Sequence, residues 1–204
     1  TGGEYYAKML AGKGITYLGS FHNGFRQLTN SKRPVTKPED LKGLKIRVPG
    51  SAVYMSTFDA LGANVTSMSW SEVFTAIQQG TIDGQENGCS ITKSAKMDEI
   101  QKYMTIWNYS YENDLFVANT KIWESLDENT RQLIQECAVE ACNWGRDKLE
   151  ADEAALIQGF RDVGMQVDEL TEEQLAVFQA AVADVIEEFK GVYGADACAA
   201  FGIN

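Results

Sequence analysis

The sequence predicts an α/β fold with a largely parallel sheet. Short apolar or alternating runs, closed by proline or glycine, take turns with segments of helical period. Two Ser/Thr-x-x-Glu/Gln boxes mark helix starts, at Ser69-Trp70-Ser71-Glu72 and Thr171-Glu172-Glu173-Gln174. Strand–helix alternation of this kind buries a sheet between helical layers.

In chain order, Glu4 to Leu10 reads as a helix stopped by Gly12 and Gly14, and Ile15 to Ser20 as a strand. Gly24-Phe25-Arg26 opens a further strand. Leu44-Lys45-Ile46-Arg47-Val48 alternates strictly and ends at Pro49-Gly50. Ser51 to Leu61 is helical, Val65 to Met68 is a short strand, and the first box opens a helix to Gln79. Ile82-Asp83-Gly84 reads as a strand and turn, with Asp83 to Asn87 a polar loop. A short helix near Ile91 to Met97 precedes strands at Tyr103 to Ser110 and Leu115 to Ala118. Asp127 to about Gly164 forms a long helix, the second box opens one to about Lys190, and a short helix closes the chain near Ala195 to Phe201.

Composition removes several functions. The 204 residues carry a net charge of −11, which opposes nucleic-acid backbones and anionic membranes as partners. No apolar run approaches the roughly 20 residues of a membrane span. His22 is the sole histidine and reads as a surface or loop residue, so Ser-His-Asp and Cys-His sites lack their base. Neither phosphate-binding glycine motif is present, and no zinc spacing occurs. On these grounds the expectation is no enzyme, no cofactor and no metal. Cys137 and Cys142, on one helix, would have Cα atoms about 8.6 Å apart. That exceeds the roughly 7 Å reach of a disulfide.

Binding chemistry concentrates between Leu41 and Asn87. In the alternating strand, Leu44, Ile46 and Val48 share one face, so Lys45 and Arg47 take the other. Arg47 lies at the strand's carboxyl end, where open α/β sheets bind ligands. A guanidinium there holds a carboxylate bidentately, and the helix from Ser51 adds N–H groups beside it. Spacing alone favours a surface arginine in a salt bridge. It also accommodates a solvated loop arginine at Arg26 and a core plug at Trp70.

The ordered set of segments narrows this. Asn23-Gly24-Phe25-Arg26-Gln27, Lys32-Arg33-Pro34 and Pro38-Glu39-Asp40-Leu41-Lys42-Gly43-Leu44-Lys45-Ile46-Arg47-Val48-Pro49 come first. Leu61-Gly62-Ala63, Trp70-Ser71-Glu72-Val73 and Gln79-Gly80-Thr81-Ile82-Asp83-Gly84-Gln85-Glu86-Asn87 follow. Together they resemble the solute-binding subunit of TRAP transporters, the DctP-type family. The resemblance implies a two-lobed fold of the periplasmic-binding-protein kind, here its C-terminal two-thirds, without the N-terminal part of lobe one. Its implied divisions are 1–20, the end of lobe one; 21–111, lobe two; 112–150, a return strand and long helix through lobe one; and 151–204, helices packing on lobe two.

The function so implied is extracytoplasmic capture of a small carboxylate, a sugar acid or hydroxy acid, for an ion-driven TRAP permease. The location would be the periplasm, or a membrane tether in a Gram-positive bacterium. A ligand-sensing module of a signalling system is the alternative. By the same resemblance Arg47 clamps the carboxylate, Arg26 lies near the ligand, Trp70 forms an aromatic wall and Asn87 contacts the ligand. Asp114 and Glu86 are further candidates. Gly50 and Gly88-Cys89 depart from the family pattern, where asparagine and proline are common.

Overall fold

The computed structural model describes residues 1–203. The helices are α1 (Gly2–Ala11), α2 (Ala52–Ala60), α3 (Trp70–Gln78), α4 (Cys89–Ser94), α5 (Thr120–Ser125), α6 (Glu128–Asp162), α7 (Glu172–Ala181), α8 (Ala183–Tyr193) and α9 (Ala195–Ala200). The strands are β1 (Ile15–Asn30), β2 (Lys45–Val48), β3 (Asn64–Ser67), β4 (Gly84–Asn87), β5 (Tyr103–Asn119) and β6 (Gln166–Glu169). They form one six-stranded sheet in the order β3-β2-β4-β1-β5-β6. β2 runs parallel to β3 and β4, β5 runs parallel to β6, and β1 pairs antiparallel with β4.

Both boxes cap helices as their chemistry requires. Glu72 Oε2 accepts from Ser69 N at 3.1 Å, and Thr171 Oγ1 accepts from Gln174 N at 3.3 Å. The helix opened by Thr171 is broken at Val182 into α7 and α8.

The chain divides into two compact units. The first holds Thr1–Gly24, Glu112–Asp152 and the chain from Lys190 onward; the second holds Phe25–Tyr111 and Glu153–Phe189. β1, β5 and α6 each contribute to both. Residues from Lys190 group with the first unit, where α9 packs on α1 and the rings of Tyr5 and Phe201 lie 5.8 Å apart.

The core of the second unit surrounds its part of the sheet. Leu28, Ile46, Val48, Phe58, Trp107 and Phe178 form one cluster; Val73, Ile77, Ile82 and Met97 a second; Met104, Phe160 and Met165 a third. Both β1 and β5 are longer than the runs read from sequence. Each contains a residue with positive φ, Gly24 at 90° and Asn108 at 46°. At Asn108 the Gln27 side chain stands in for a strand partner: its Oε1 accepts from Trp107 N at 2.9 Å and Asn108 N at 3.1 Å.

Two expectations fail here. The polar run Asp83 to Asn87 is not a loop; Gly84–Asn87 is the strand between β2 and β1, buried throughout. Polar side chains survive there because partners meet them. Gln85 Nε2 donates to Thr29 Oγ1 at 2.8 Å, Thr29 Oγ1 donates to Gln101, and Gln101 Nε2 donates to Asp83 O at 3.0 Å. His22 is not on the surface but buried in β1.

Candidate functional site

β2 delivers Arg47 into the interior of the second unit. Ile46 and Val48 are fully buried in the Phe58 cluster, so period-2 geometry sends Arg47 to the opposite face. There its side chain is only 5% exposed. Its Nε and Nη2 both donate to Met68 O, at 3.1 and 2.8 Å. The ring of Trp70, the first residue of α3, lies 5.5 Å from the guanidinium carbon. Among the described residues, no carboxylate comes within 4.0 Å of Arg47, so the salt-bridge alternative is set aside. Burial, the largest influence, lowers the Arg47 pKa; the nearby Glu86 charge opposes that and Arg26 reinforces it. Arginine stays protonated regardless. The result is a buried cation, oriented by a main-chain carbonyl, with no contacting carboxylate among the described residues.

Arg26 stands in contrast. It is 2% exposed, and its guanidinium grips Glu86, itself fully buried, through Nε to one carboxylate oxygen and Nη2 to the other at 2.9 Å. Nη2 also donates to Glu86 O at 2.9 Å. A fork-to-fork pair of this kind uses the geometry that makes arginine–carboxylate bonds strong. The Tyr54 ring lies 5.4 Å from the Arg26 carbon, and the Tyr109 hydroxyl donates to Glu86. The Tyr109 pKa is pushed well above the ordinary tyrosine value, first by burial and then by the charge and hydrogen bond of Glu86. Arg26 and Glu86 therefore form a neutral, aromatic-lined pair.

Asn87 ends β4, with its side-chain oxygen accepting from Gly88 N at 3.2 Å. Trp70 is half-buried, packing on the Val73 cluster, with its ring 5.5 Å from the Arg47 guanidinium carbon. Arg26, Arg47, Trp70, Glu86 and Asn87 thus all belong to the second unit. Asp114 lies on the part of β5 in the first unit and is half-buried. Sequence reasoning missed Met68, which acts through its backbone carbonyl and leaves no side-chain signal. It also missed Tyr54 and Tyr109. For Tyr109 the alternation Trp107-Asn108-Tyr109-Ser110-Tyr111 was the available clue.

The chain belongs to the family described as bacterial extracellular solute-binding protein, family 7 (DctP), whose pattern matches residues 1–191. It is 38% identical over 183 residues to a solute-binding protein of Verminephrobacter eiseniae, covering 90% of this chain and 54% of that one. A TRAP periplasmic solute-binding protein from Ralstonia eutropha, solved with bound (S)-2-acetolactate, superposes with a TM-score of 0.95 at 36% identity. That match covers 99% of this chain and 66% of the other. The sugar acid binding protein DctPAm from Advenella mimigardefordensis, solved with galactonate, superposes with a TM-score of 0.93 at 30% identity. There the coverage is 100% of this chain and 65% of the other. The chain spans about half the length of the curated relatives it matches. Family membership and the mixed α/β fold agree with what the segment pattern implied, and the family's role is binding rather than catalysis. No helix among the described residues is long and apolar enough to cross a membrane.

Proposed function

We propose that the protein captures a small organic acid, a sugar acid or hydroxy acid, outside the cytoplasm and delivers it to a TRAP permease. The observation that carries this reading is Arg47, buried, held by Met68 O and without a carboxylate partner among the described residues. Burying an unpaired charge is costly unless something repays it. A ligand carboxylate does so: Met68 occupies the Nε edge, leaving Nη1 and the outer Nη2 hydrogen as the donors for a bidentate bond. Trp70 shields that bond from water. The relatives solved with acetolactate and galactonate support the ligand class, both being carboxylates that carry a hydroxyl group near the acid.

In this reading the acid docks end-on to Arg47, and Asn87 meets a hydroxyl group. Arg26 and Glu86, already committed to each other, set the local charge and shape rather than clamping the acid. Thermal unfolding of the full-length protein against sugar acids, hydroxy acids and dicarboxylates tests the reading. A ligand at about 1,000 times its Kd stabilises by roughly 4 kcal/mol, raising Tm on the order of 10 °C. No shift with any acid at millimolar concentration refutes carboxylate capture.

A further inference from the structure

Beyond the Arg47 site, the second unit contains a concavity of about 410 Å³ between α2, β5 and the α7–α8 pair. Its walls include Tyr54, Trp107, Tyr109, Phe178, Val182 and Ile186. Among the described residues lining it none is charged, although the chain as a whole carries −11. The size falls within the range of about 300–1,000 Å³ typical of small-molecule sites, and apolar, ring-rich walls are their usual lining. Tyr109 packs at 4.9 Å on Trp107 and at 6.1 Å on Tyr54, and Phe178 meets Trp107 edge-on at 5.2 Å. Such edges and faces suit a further aromatic ring. An uncharged wall repays no ion for its lost hydration, which selects against acids and cations.

Two of these rings also touch the ion pair. Tyr54 faces Arg26 at 5.4 Å and shares a 3.2 Å hydrogen bond with Ser110, while Tyr109 donates to Glu86. A molecule that shifts either ring therefore shifts the pair next to Arg47. We propose that this pocket is a second ligand site, for a small neutral aromatic molecule, and that its occupancy tunes acid binding through Tyr54 and Tyr109. The tuning rests on the carboxylate reading of Arg47; the pocket itself does not.

The test titrates the full-length protein with N-phenyl-1-naphthylamine, a neutral probe that brightens in apolar surroundings. Saturable brightening is expected in the wild type. Ile186 is 45% exposed at the rim, so Ile186→Glu leaves the fold intact and should weaken the probe at least tenfold. Val182→Trp fills the cavity and should abolish binding, with circular dichroism checking its fold. Galactonate affinity measured with and without saturating probe should differ at least threefold, and the probe's affinity should change by the same factor when galactonate is added. Unsaturable brightening, or equal brightening in Ile186→Glu, overturns the site. An unchanged galactonate affinity overturns the tuning. Should galactonate and the other acids fail to bind at all, the carboxylate reading falls while the probe titration still decides the pocket.

Discussion

Arg47→Met separates binding from folding at this site. The substitution keeps an unbranched stem of similar reach and removes the charge and the two donors to Met68 O. For the liganded state, deleting one partner of a buried charge-assisted pair costs about 2–5 kcal/mol, which is roughly a 30- to 5,000-fold loss of affinity. For the unliganded state two effects oppose each other. Met68 O loses hydrogen bonds from a charged donor, worth about 1.5–3 kcal/mol. Against that, the fold no longer holds a cation without a contacting carboxylate among the described residues at 5% exposure, a desolvation cost of several kcal/mol. The unliganded Tm is therefore expected to move by only a few degrees, at about 2–4 °C per kcal/mol for a chain of this size. Calorimetric titration with galactonate and thermal unfolding of the free protein provide the two readouts. Affinity within threefold of wild type refutes the clamp. A collapse in unliganded stability refutes the claim that Arg47 is retained for binding rather than for the fold.

Three further outcomes follow from the same contacts. Glu86→Gln removes the anion from a fully buried pair and should destabilise the protein by about 3–5 kcal/mol, measured by urea unfolding; a loss below about 1 kcal/mol contradicts the Arg26–Glu86 assignment. Gly84→Ala places a Cβ 2.2 Å from Thr29 O and 2.8 Å from Asn30 Cβ, so β1 and β4 must separate; a cost of about 3 kcal/mol or more is expected, and a near-neutral variant refutes the register. Tyr109 holds its proton more tightly folded than unfolded, because burial and Glu86 raise its pKa. Its contribution to stability is thus present below the unfolded tyrosine value of about 10 and lost as pH rises above it. Ultraviolet titration should show one tyrosine ionising only with alkaline unfolding, and Tyr109→Phe should remove that late step.

Much of the framework was legible in the residues. The alternation of Leu44 to Val48, the boxes at Ser69 and Thr171 and the helical run from Asp127 to about Gly164 located β2, α3, α7 and α6. These signals are local: a capping box or a period-2 run is satisfied within a few residues of itself. The same locality explains why Arg47 stood out, since it needed only the carboxyl end of an alternating strand.

What tertiary structure alone decided is where polar residues go. Gly84 to Asn87 has the composition of a loop, and it is a buried central strand because Thr29, Gln101 and Arg26, all distant in sequence, meet its polar groups. His22 is buried for the want of any local signal either way. Arg26 and Arg47 read alike in sequence, yet one is matched by Glu86 and the other rests on a main-chain carbonyl. The sequence by itself determined most of the elements, the family and the candidate arginines. Only the fold decided that Glu86 pairs with Arg26 while Arg47 rests on Met68 O, the contrast on which the proposed carboxylate site stands.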